Sequence, residues 1–88
     1  MNNIHLSVVT ADGAAIDKAV SYVNIPTAAG SIGVLSGHAS MICAVKKGLV
    51  RYSIDDDSAG KILVGDGIAD VNRNEVTLLV SSVMIPEE

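Results

Sequence analysis

Apolar and polar residues alternate over short stretches of this chain, which is the pattern of β-strands with one buried face. At the start, Ile4, Leu6 and Val8 are apolar and the residues between them are polar. Similar stretches recur and predict roughly nine or ten short strands separated by turn signals, a spacing that favours a β-sandwich or barrel. The predicted strands cover residues 4–8, 14–18, 20–25, 31–35, 41–45, 49–54, 61–64, 68–71 and 76–84. Pro26 is expected to end the third of them, because proline cannot donate to a sheet ladder.

Composition agrees with this all-β prediction. Val and Ile together number 21 against 6 Leu, with two Tyr and neither Phe nor Trp. Side chains branched at Cβ fit a pleated, half-buried sheet better than a helix. A chain of 88 residues suits one domain, so we expect residues 1–88 to form a single one. Cys43 is the only cysteine, which excludes a disulfide within the chain and is typical of a reducing compartment.

Charge and hydropathy exclude several classes of function. The net charge is −4 and the six Lys and Arg residues are scattered, whereas a nucleic-acid surface needs them clustered. No apolar run is long enough to cross a membrane, and the first residues lack the basic start and apolar stretch of a signal peptide. We therefore expect a soluble protein that stays in the compartment where it is made.

Candidate metal and phosphate motifs are weak. Asp55, Asp57 and Gly60 resemble part of a calcium loop, but the twelfth loop position is Asp66 rather than a bidentate Glu. A solvated hairpin tip is the better interpretation. The glycines of residues 65–67 (Gly-Asp-Gly) resemble a phosphate loop, yet such loops open onto a helix and residues 68–71 are predicted as strand. A bulge or bend is therefore expected at residues 65–67.

Candidate catalytic residues are equally sparse. Cys43 lies within an apolar strand, where a small thiol acts as inert packing rather than as a nucleophile. His5 lies on the polar face of the first strand and is expected to be solvated. His38 lies in a glycine-bearing loop and is either an ordinary exposed residue or a contact at a protein interface. We predict no catalytic residue, no metal site and no cofactor.

Residues 26–39 read Pro-Thr-Ala-Ala-Gly-Ser-Ile-Gly-Val-Leu-Ser-Gly-His-Ala. Together with three further stretches, in order and spacing, they resemble the epsilon subunit of F-type ATP synthase, whose signature is Pro-Thr-x-x-Gly-x-(Ile/Leu)-Gly-(Ile/Val)-Leu-Pro-Gly-His-Ala. Residues 8–13 (Val-Val-Thr-Ala-Asp-Gly) and 45–51 (Val-Lys-Lys-Gly-Leu-Val-Arg) are similar to its opening and to one of its hairpins. Residues 65–71 and 76–80 are similar to its Ser-Gly-Gly-Phe-x-Glu-Val and Val-Thr-Val-Leu segments. The resemblance spans nearly the whole chain.

This resemblance implies a ten-stranded β-sandwich, or flattened barrel, of short antiparallel strands. It implies a non-catalytic subunit of the central stalk that binds the gamma subunit and the c ring and couples ion-driven rotation to ATP synthesis. Such a subunit lies peripherally on the cytoplasmic face of a bacterial membrane, within the F1 complex. The family's ring-contacting loops match residues 28–32 and 37–39, so the expected partner-binding residues are Ala28, Ala29, Gly30, Ser31, Ile32, Gly37, His38, Ala39 and Met41.

Departures from the family pattern refine these expectations. Ala29 and Ser31 stand where relatives often carry a carboxylate that faces the ring's basic loop, so ring binding should depend more on shape and main chain. Ala11, Ser36 and Ser40 replace common prolines, which loosens those turns. The family's C-terminal two-helix hairpin has no counterpart before Glu88, so neither inhibition by helix insertion nor ATP binding is expected. The alternative is a free-standing β-sandwich that binds a small ligand or an unrelated protein, since a fold alone does not fix function.

Overall fold

The computed structural model describes residues 3–37, 39–55 and 58–85, and within these ranges the chain forms ten β-strands and no helix. The predicted all-β architecture is therefore confirmed. Nowhere in these ranges is there a helix long and apolar enough to cross a membrane. The strands are β1 (Ile4–Thr10), β2 (Gly13–Val20), β3 (Tyr22–Thr27), β4 (Gly30–Leu35), β5 (Met41–Val45), β6 (Gly48–Ile54), β7 (Ser58–Val64), β8 (Gly67–Asn72), β9 (Glu75–Val80) and β10 (Val83–Met84).

The strands form one strongly curved sheet in the order β10-β7-β6-β3-β5-β8-β9-β1-β2, with β4 paired to β3 outside this path. The sheet folds over on itself at β3. One layer contains β10, β7, β6, β3 and β4, and the other contains β5, β8, β9, β1 and β2. All described pairs are antiparallel except β1 with β9, which run parallel. The predicted antiparallel pairing therefore holds for every described pair but this one, in which the ninth strand lies beside the first.

Strand β3 is the corner between the two layers. Along one edge it pairs with β4 over its full length. Along the other edge its first half pairs with β6, and its last residue, Thr27, pairs with Val45 of β5. Pro26 therefore lies inside the strand and does not end it as predicted. It sits where β3 passes from one partner to the next, and its carbonyl still accepts a hydrogen bond from the Lys46 N–H at 3.0 Å.

The core lies between the two layers and is almost entirely aliphatic. In β1 the burial alternates as the sequence predicts, with Ile4, Leu6 and Val8 fully buried. No polar or charged side chain among the described residues is buried, so the interior needs no hydrogen-bonded network. The buried residues are Ile4, Leu6, Val8, Ile16, Val20, Val23, Ile25, Val34, Val45, Val50, Tyr52, Ile62, Val64, Ala69, Val71, Val76, Leu78 and Val80.

Strands β2 and β6, one from each layer, approach each other without backbone pairing. A polar contact between their side chains connects them. Lys18 of β2 is exposed overall but lies on the same face of the sheet as its pairing partner, the buried Leu6. The Lys18 ammonium lies 5.2 Å from the centre of the Tyr52 ring and 3.3 Å from the Tyr52 hydroxyl. An inward-pointing lysine is one of the devices by which proteins protect an edge strand from unwanted pairing.

The last predicted strand is divided in two. Residues 76–84 were expected to run as one strand, but Ser81 and Ser82 separate β9 from β10. The break follows from topology, because β9 pairs with β8 in one layer and β10 pairs with β7 in the other. The Gly65 N–H donates to the Ser82 carbonyl and the Ser81 N–H to the Asp66 carbonyl, both at 3.0 Å. These bonds join the segment between β7 and β8 to the segment between β9 and β10. The predicted bend at residues 65–67 is confirmed.

Candidate functional site

The first predicted contact loop is a two-residue turn between β3 and β4. Ala28 and Ala29 form its exposed tip. The Thr27 hydroxyl donates to the Gly30 carbonyl and accepts from the Ala29 N–H at 3.2 Å. Gly30 has φ +115°, a conformation that disfavours any residue with a side chain. Two hydrogen bonds of the Thr27 hydroxyl therefore hold the turn, which exposes the methyl groups of Ala28 and Ala29 to solvent.

The other residues of the first predicted segment belong to strand β4 itself. Gly30 and Ser31 are exposed, whereas Ile32 is half-buried and packs against the core. Among the described strands β4 pairs only with β3, so its second edge is open. The six residues of β4 carry no charge and no proline, which are common means of protecting a strand edge. An unprotected edge of this kind is available for contact with another protein.

The second predicted loop follows β4. Gly37 and Ala39 are exposed, and Gly37 has φ +81°. His38, the residue singled out by the sequence, lies outside the described residues. Met41 begins β5 and is half-buried against the core. The predicted site residues thus include two exposed loops, and Ile32 and Met41 beside these loops are anchored in the core.

The two loops lie at opposite ends of β4 and do not form a single pocket. Strand β4 has six residues and separates them by about 20 Å, at roughly 3.3 Å per residue. What connects them is the open edge of the strand. We call this elongated surface the β4 ridge, comprising the turn at residues 28–29, strand β4 and the described part of the loop at residues 36–40. None of the described residues of the ridge is charged.

A second surface, which the sequence reasoning missed, lies on the outer side of the other layer. The pairing registers align one exposed or half-exposed apolar residue from each of five strands in a row across the sheet. Ile68 and Leu79 are 50% and 51% exposed, and neighbouring Ile42 is 73% exposed. The row consists of Ala44, Ile68, Leu79, Val9 and Ala14, paired in that order. We call these five residues together with Ile42 the apolar face.

The polar residues beside the apolar face include several acidic ones. The next rows of the same outer surface contain Asp70, Asp17 and Glu75, and no outward-facing residue of these rows is Lys or Arg. His5 bonds through Nε2 to the Asp17 carboxylate, and both side chains are well exposed. This hydrogen bond and the Asp17 charge raise the pKa of His5 above 6.5. An apolar patch with acidic neighbours suits a partner with apolar and basic groups.

The remaining candidate chemistry from the sequence has no catalytic geometry in the described residues. Cys43 is half-buried, and burial raises the pKa of its thiol, which disfavours the reactive thiolate. Of the calcium-like stretch, Asp55 lies in a turn and Asp57 falls outside the described residues. Within the ranges described, no three His, Cys, Asp or Glu side chains converge to hold a metal ion.

Comparison with known proteins identifies relatives of one kind. Residues 3–86 match the family described as the beta-sandwich domain of the ATP synthase delta/epsilon chain. The chloroplast ATP synthase epsilon chain of Guillardia theta is 33% identical over 79 residues, covering 90% of this chain and 60% of the relative. The ATP synthase epsilon chain of Staphylococcus aureus strain JH9 is 34% identical over 89 residues, covering 100% of this chain and 66% of the relative.

Solved structures of low sequence identity share the fold. A chain in the mitochondrial ATP synthase of Euglena gracilis, solved as an OSCP/F1/c-ring assembly, superposes with a TM-score of 0.88 at 21% identity, covering 97% of this chain and 54% of that one. A chain in the central stalk and c ring of the Tetrahymena thermophila mitochondrial ATP synthase gives a TM-score of 0.77 at 11% identity, covering 94% and 66%. This chain thus spans from about half to two thirds of the length of the relatives cited here.

Proposed function

Because this chain belongs to the family of the beta-sandwich domain of the ATP synthase delta/epsilon chain, we propose that it is a non-catalytic part of the central stalk of an F-type ATP synthase. It binds the gamma subunit through one surface and the c ring through another, and so couples ion-driven rotation to ATP synthesis. In a bacterium it lies peripherally at the cytoplasmic face of the membrane, within F1. The domain is the single unit formed by residues 1–88.

The observation that carries this proposal is the presence of two separate contact surfaces on one small sandwich. The β4 ridge lies on the open edge of the first layer, and the apolar face lies on the outside of the second layer. A coupling element must hold two neighbours at once, and two surfaces built on different strands allow this. The Tetrahymena structure that shares this fold contains a central stalk and a c ring, which supports the same assignment.

We assign the apolar face to gamma and the β4 ridge to the ring. The apolar face offers more area for a permanent contact, since Ile42, Ile68 and Leu79 are each half exposed or more. Stable interfaces bury such residues at their centre. The ridge is neutral and exposes backbone and small side chains, with Leu35 as the one large exposed apolar side chain among its described residues, at 61%. This agrees with the family resemblance of residues 28–32 and 37–39 to ring-contacting loops. Ala28, Ala29, Gly30, Ser31, Ile32, Gly37, His38, Ala39 and Met41 remain the proposed contact residues on this side.

The test is a binding experiment with the gamma subunit and the c ring of the same organism. Leu79→Asp places a charge in the centre of the apolar face and should weaken gamma binding by about tenfold or more, because burying a carboxylate against apolar surface is costly. Leu63→Asp is the matched control. Leu63 is similarly exposed at 41% but lies on β7, in the other layer. Leu63→Asp should leave gamma binding within about twofold of the unaltered chain.

The ridge is tested with the same assay. Ala29→Arg adds bulk and charge at the tip of the first turn, where Ala29 is fully outside the core. It should reduce retention of the c ring while gamma binding stays unchanged. If the unaltered chain retains neither partner, or if Leu79→Asp and Leu63→Asp behave alike, the assignment of a two-sided stalk subunit is wrong.

A further inference from the structure

The outer side of the first layer carries a third surface, which combines apolar and basic residues. The pairing registers place Met84 of β10, Leu63 of β7 and Leu49 of β6 in one row across it. Met84 is 65% exposed and Leu63 is 41% exposed. In the next row Lys61 lies directly opposite Arg51, and both side chains are exposed. We call these five residues the basic face.

The two cations of the basic face have no partner within the domain. In the part of the chain that the structure describes, neither Arg51 nor Lys61 forms an ion pair or a side-chain hydrogen bond. Like charges directly opposite each other on neighbouring strands destabilise the pairing. The described outward-facing residues on the strands of this layer include no Asp or Glu, so the repulsion is not relieved from within the layer. Carboxylates from another molecule would relieve it.

The apolar face on the other layer has the complementary arrangement. Its apolar row is followed by a row that contains Asp70, and Glu75 lies one row further along, on the neighbouring strand β9. Successive outward-facing rows are two residues apart on both faces, which is about 7 Å. If the apolar rows of two molecules stack, Asp70 and Glu75 of one therefore come within reach of Arg51 and Lys61 of the other. The two faces thus match in apolar position and in the sign of their charges.

We propose that this chain, when free of other subunits, associates with itself head to tail, with the basic face of one molecule against the apolar face of the next. This inference is independent of the proposed function, except that both use the apolar face. The contact covers Ile42, Ile68 and Leu79, and contiguous exposed apolar residues of this kind mark interaction sites. Because it joins two different patches, it does not close into a dimer and gives open chains of molecules.

The size of the two faces sets the strength of the association. Each layer has five strands, which lie about 4.8 Å apart, and a strand of six residues is about 20 Å long. One face therefore covers roughly 500 Å², and a contact between two faces buries roughly 1,000 Å² in total. Stable interfaces bury about 1,200–2,000 Å². The self-association should therefore be weak and reversible, so that a permanent partner of the apolar face displaces it.

Sedimentation velocity at low salt measures the association. The average mass of the unaltered chain should rise with protein concentration and should not level off at a dimer. Lys61→Gln should weaken the association by about two- to fivefold, the range of one exposed ion pair, and this difference should vanish at high salt. Lys46→Gln is the matched control, because it removes the same charge between β5 and β6, outside both faces, and it should behave like the unaltered chain.

Two further variants test whether the contact joins different faces. Leu63→Asp disrupts the basic face and Leu79→Asp disrupts the apolar face, so each variant alone should stay monomeric. Each keeps the face that the other has lost, so an equimolar mixture should form one-to-one dimers and nothing larger. Circular dichroism melting checks that both variants fold. The proposal is overturned by an unaltered chain that stays monomeric at millimolar concentration, by a closed dimer, by equal effects of Lys61→Gln and Lys46→Gln, or by a mixture that stays monomeric.

Addition of gamma separates the self-association from the proposed function. Saturating gamma should occupy the apolar face and dissolve the assemblies into complexes that contain one copy of this chain. Gamma that binds without dissolving the assemblies would overturn the assignment of gamma to the apolar face and leave the self-association standing. A chain that binds gamma but does not associate with itself would overturn the self-association alone.

Discussion

Substituting Gly60 by Ala should be far more harmful than the same change at Gly33, although both glycines lie beneath a tyrosine ring. A Cβ at Gly60 would come within 2.3 Å of Tyr52 Cζ and 2.4 Å of its hydroxyl oxygen. A Cβ at Gly33 would come within 2.7 Å of the Tyr22 hydroxyl oxygen and 2.9 Å of its Cε1. Real Cβ atoms do not approach this closely, so the ring must move in both cases.

Burial of the ring decides the cost. Tyr52 is 8% exposed, belongs to the core, and its hydroxyl bonds to Lys18, so its ring cannot move without disturbing packed neighbours. Overpacking of this kind costs about 1–3 kcal/mol. Tyr22 is only partly buried, so its ring can rotate toward solvent, although it then loses the 3.2 Å hydrogen bond that its hydroxyl accepts from the Asn24 side chain. At Gly33 the loss of chain entropy in the unfolded state favours alanine by about 0.4–1 kcal/mol, which offsets most of the strain.

Urea unfolding of both variants measures the difference directly. We expect Gly60→Ala to lower the free energy of unfolding by about 1–3 kcal/mol and Gly33→Ala to change it by less than about 1 kcal/mol. The double variant Tyr52→Leu with Gly60→Ala should lose less than the sum of the single effects, because the colliding ring is gone. Equal destabilisation by the two alanines, or strict additivity in the double variant, would refute the steric reasoning.

Four further predictions concern stability and reactivity. Asp17 raises the pKa of His5, so the stabilising effect of protonated His5 is complete below about pH 6.5 and is lost as the pH rises through the folded-state pKa. Unfolding curves of His5→Gln and of the unaltered chain should therefore differ at about pH 5 and coincide at about pH 9. The Cys43 thiol should react with a disulfide reagent more slowly in the folded than in the urea-unfolded chain, because burial raises its pKa. Gly67→Ala should prevent folding, as judged by circular dichroism, because a Cβ there would lie 2.0 Å from a backbone carbonyl oxygen of β9. Leu78→Ala, at a fully buried position, should cost about 2–5 kcal/mol in urea unfolding.

The strands were predictable where one face of each is buried. Alternation placed Ile4, Leu6 and Val8 inward, and the structure buries all three. The division of the last strand at Ser81 was not predictable from local pattern, since it arises from which distant strand each half pairs with. The prediction that Pro26 ends the third strand was wrong for a related reason. A proline ends a strand only if its missing N–H would have been used, and here β3 changes partners at that residue.

The candidate site, like the fold, could be predicted from the sequence only in part. The glycines of the first turn and the second loop marked flexible, exposed backbone, and Gly30 and Gly37 do adopt positive φ. The apolar face escaped prediction because each strand contributes only one or two of its residues, and only the pairing register brings them together. A trace of it is visible in the sequence, since Leu78 and Leu79 are adjacent in a strand and cannot both face the core. The Asn74 side chain accepts from Gly37 N–H and bonds to the Ser36 hydroxyl, and the Asn72 side chain bonds to the Ser40 hydroxyl. These contacts were hidden in the sequence, because asparagine in a turn is common for local reasons.

The route by which force could pass between the two surfaces follows from how the layers are joined. Among the described residues, β3 and β5 share a single backbone pair, Thr27 with Val45. The β4 ridge is therefore tied to the apolar face mainly through side chains, with Ile32 and Met41 packed on the common aliphatic core. Interiors packed at crystal-like density deform little, so a core of branched side chains stiffens this joint, where few backbone-to-backbone hydrogen bonds connect the layers. A cavity made at Val34, the fully buried core residue of β4 itself, should thus weaken coupling between the surfaces even when each still binds its partner.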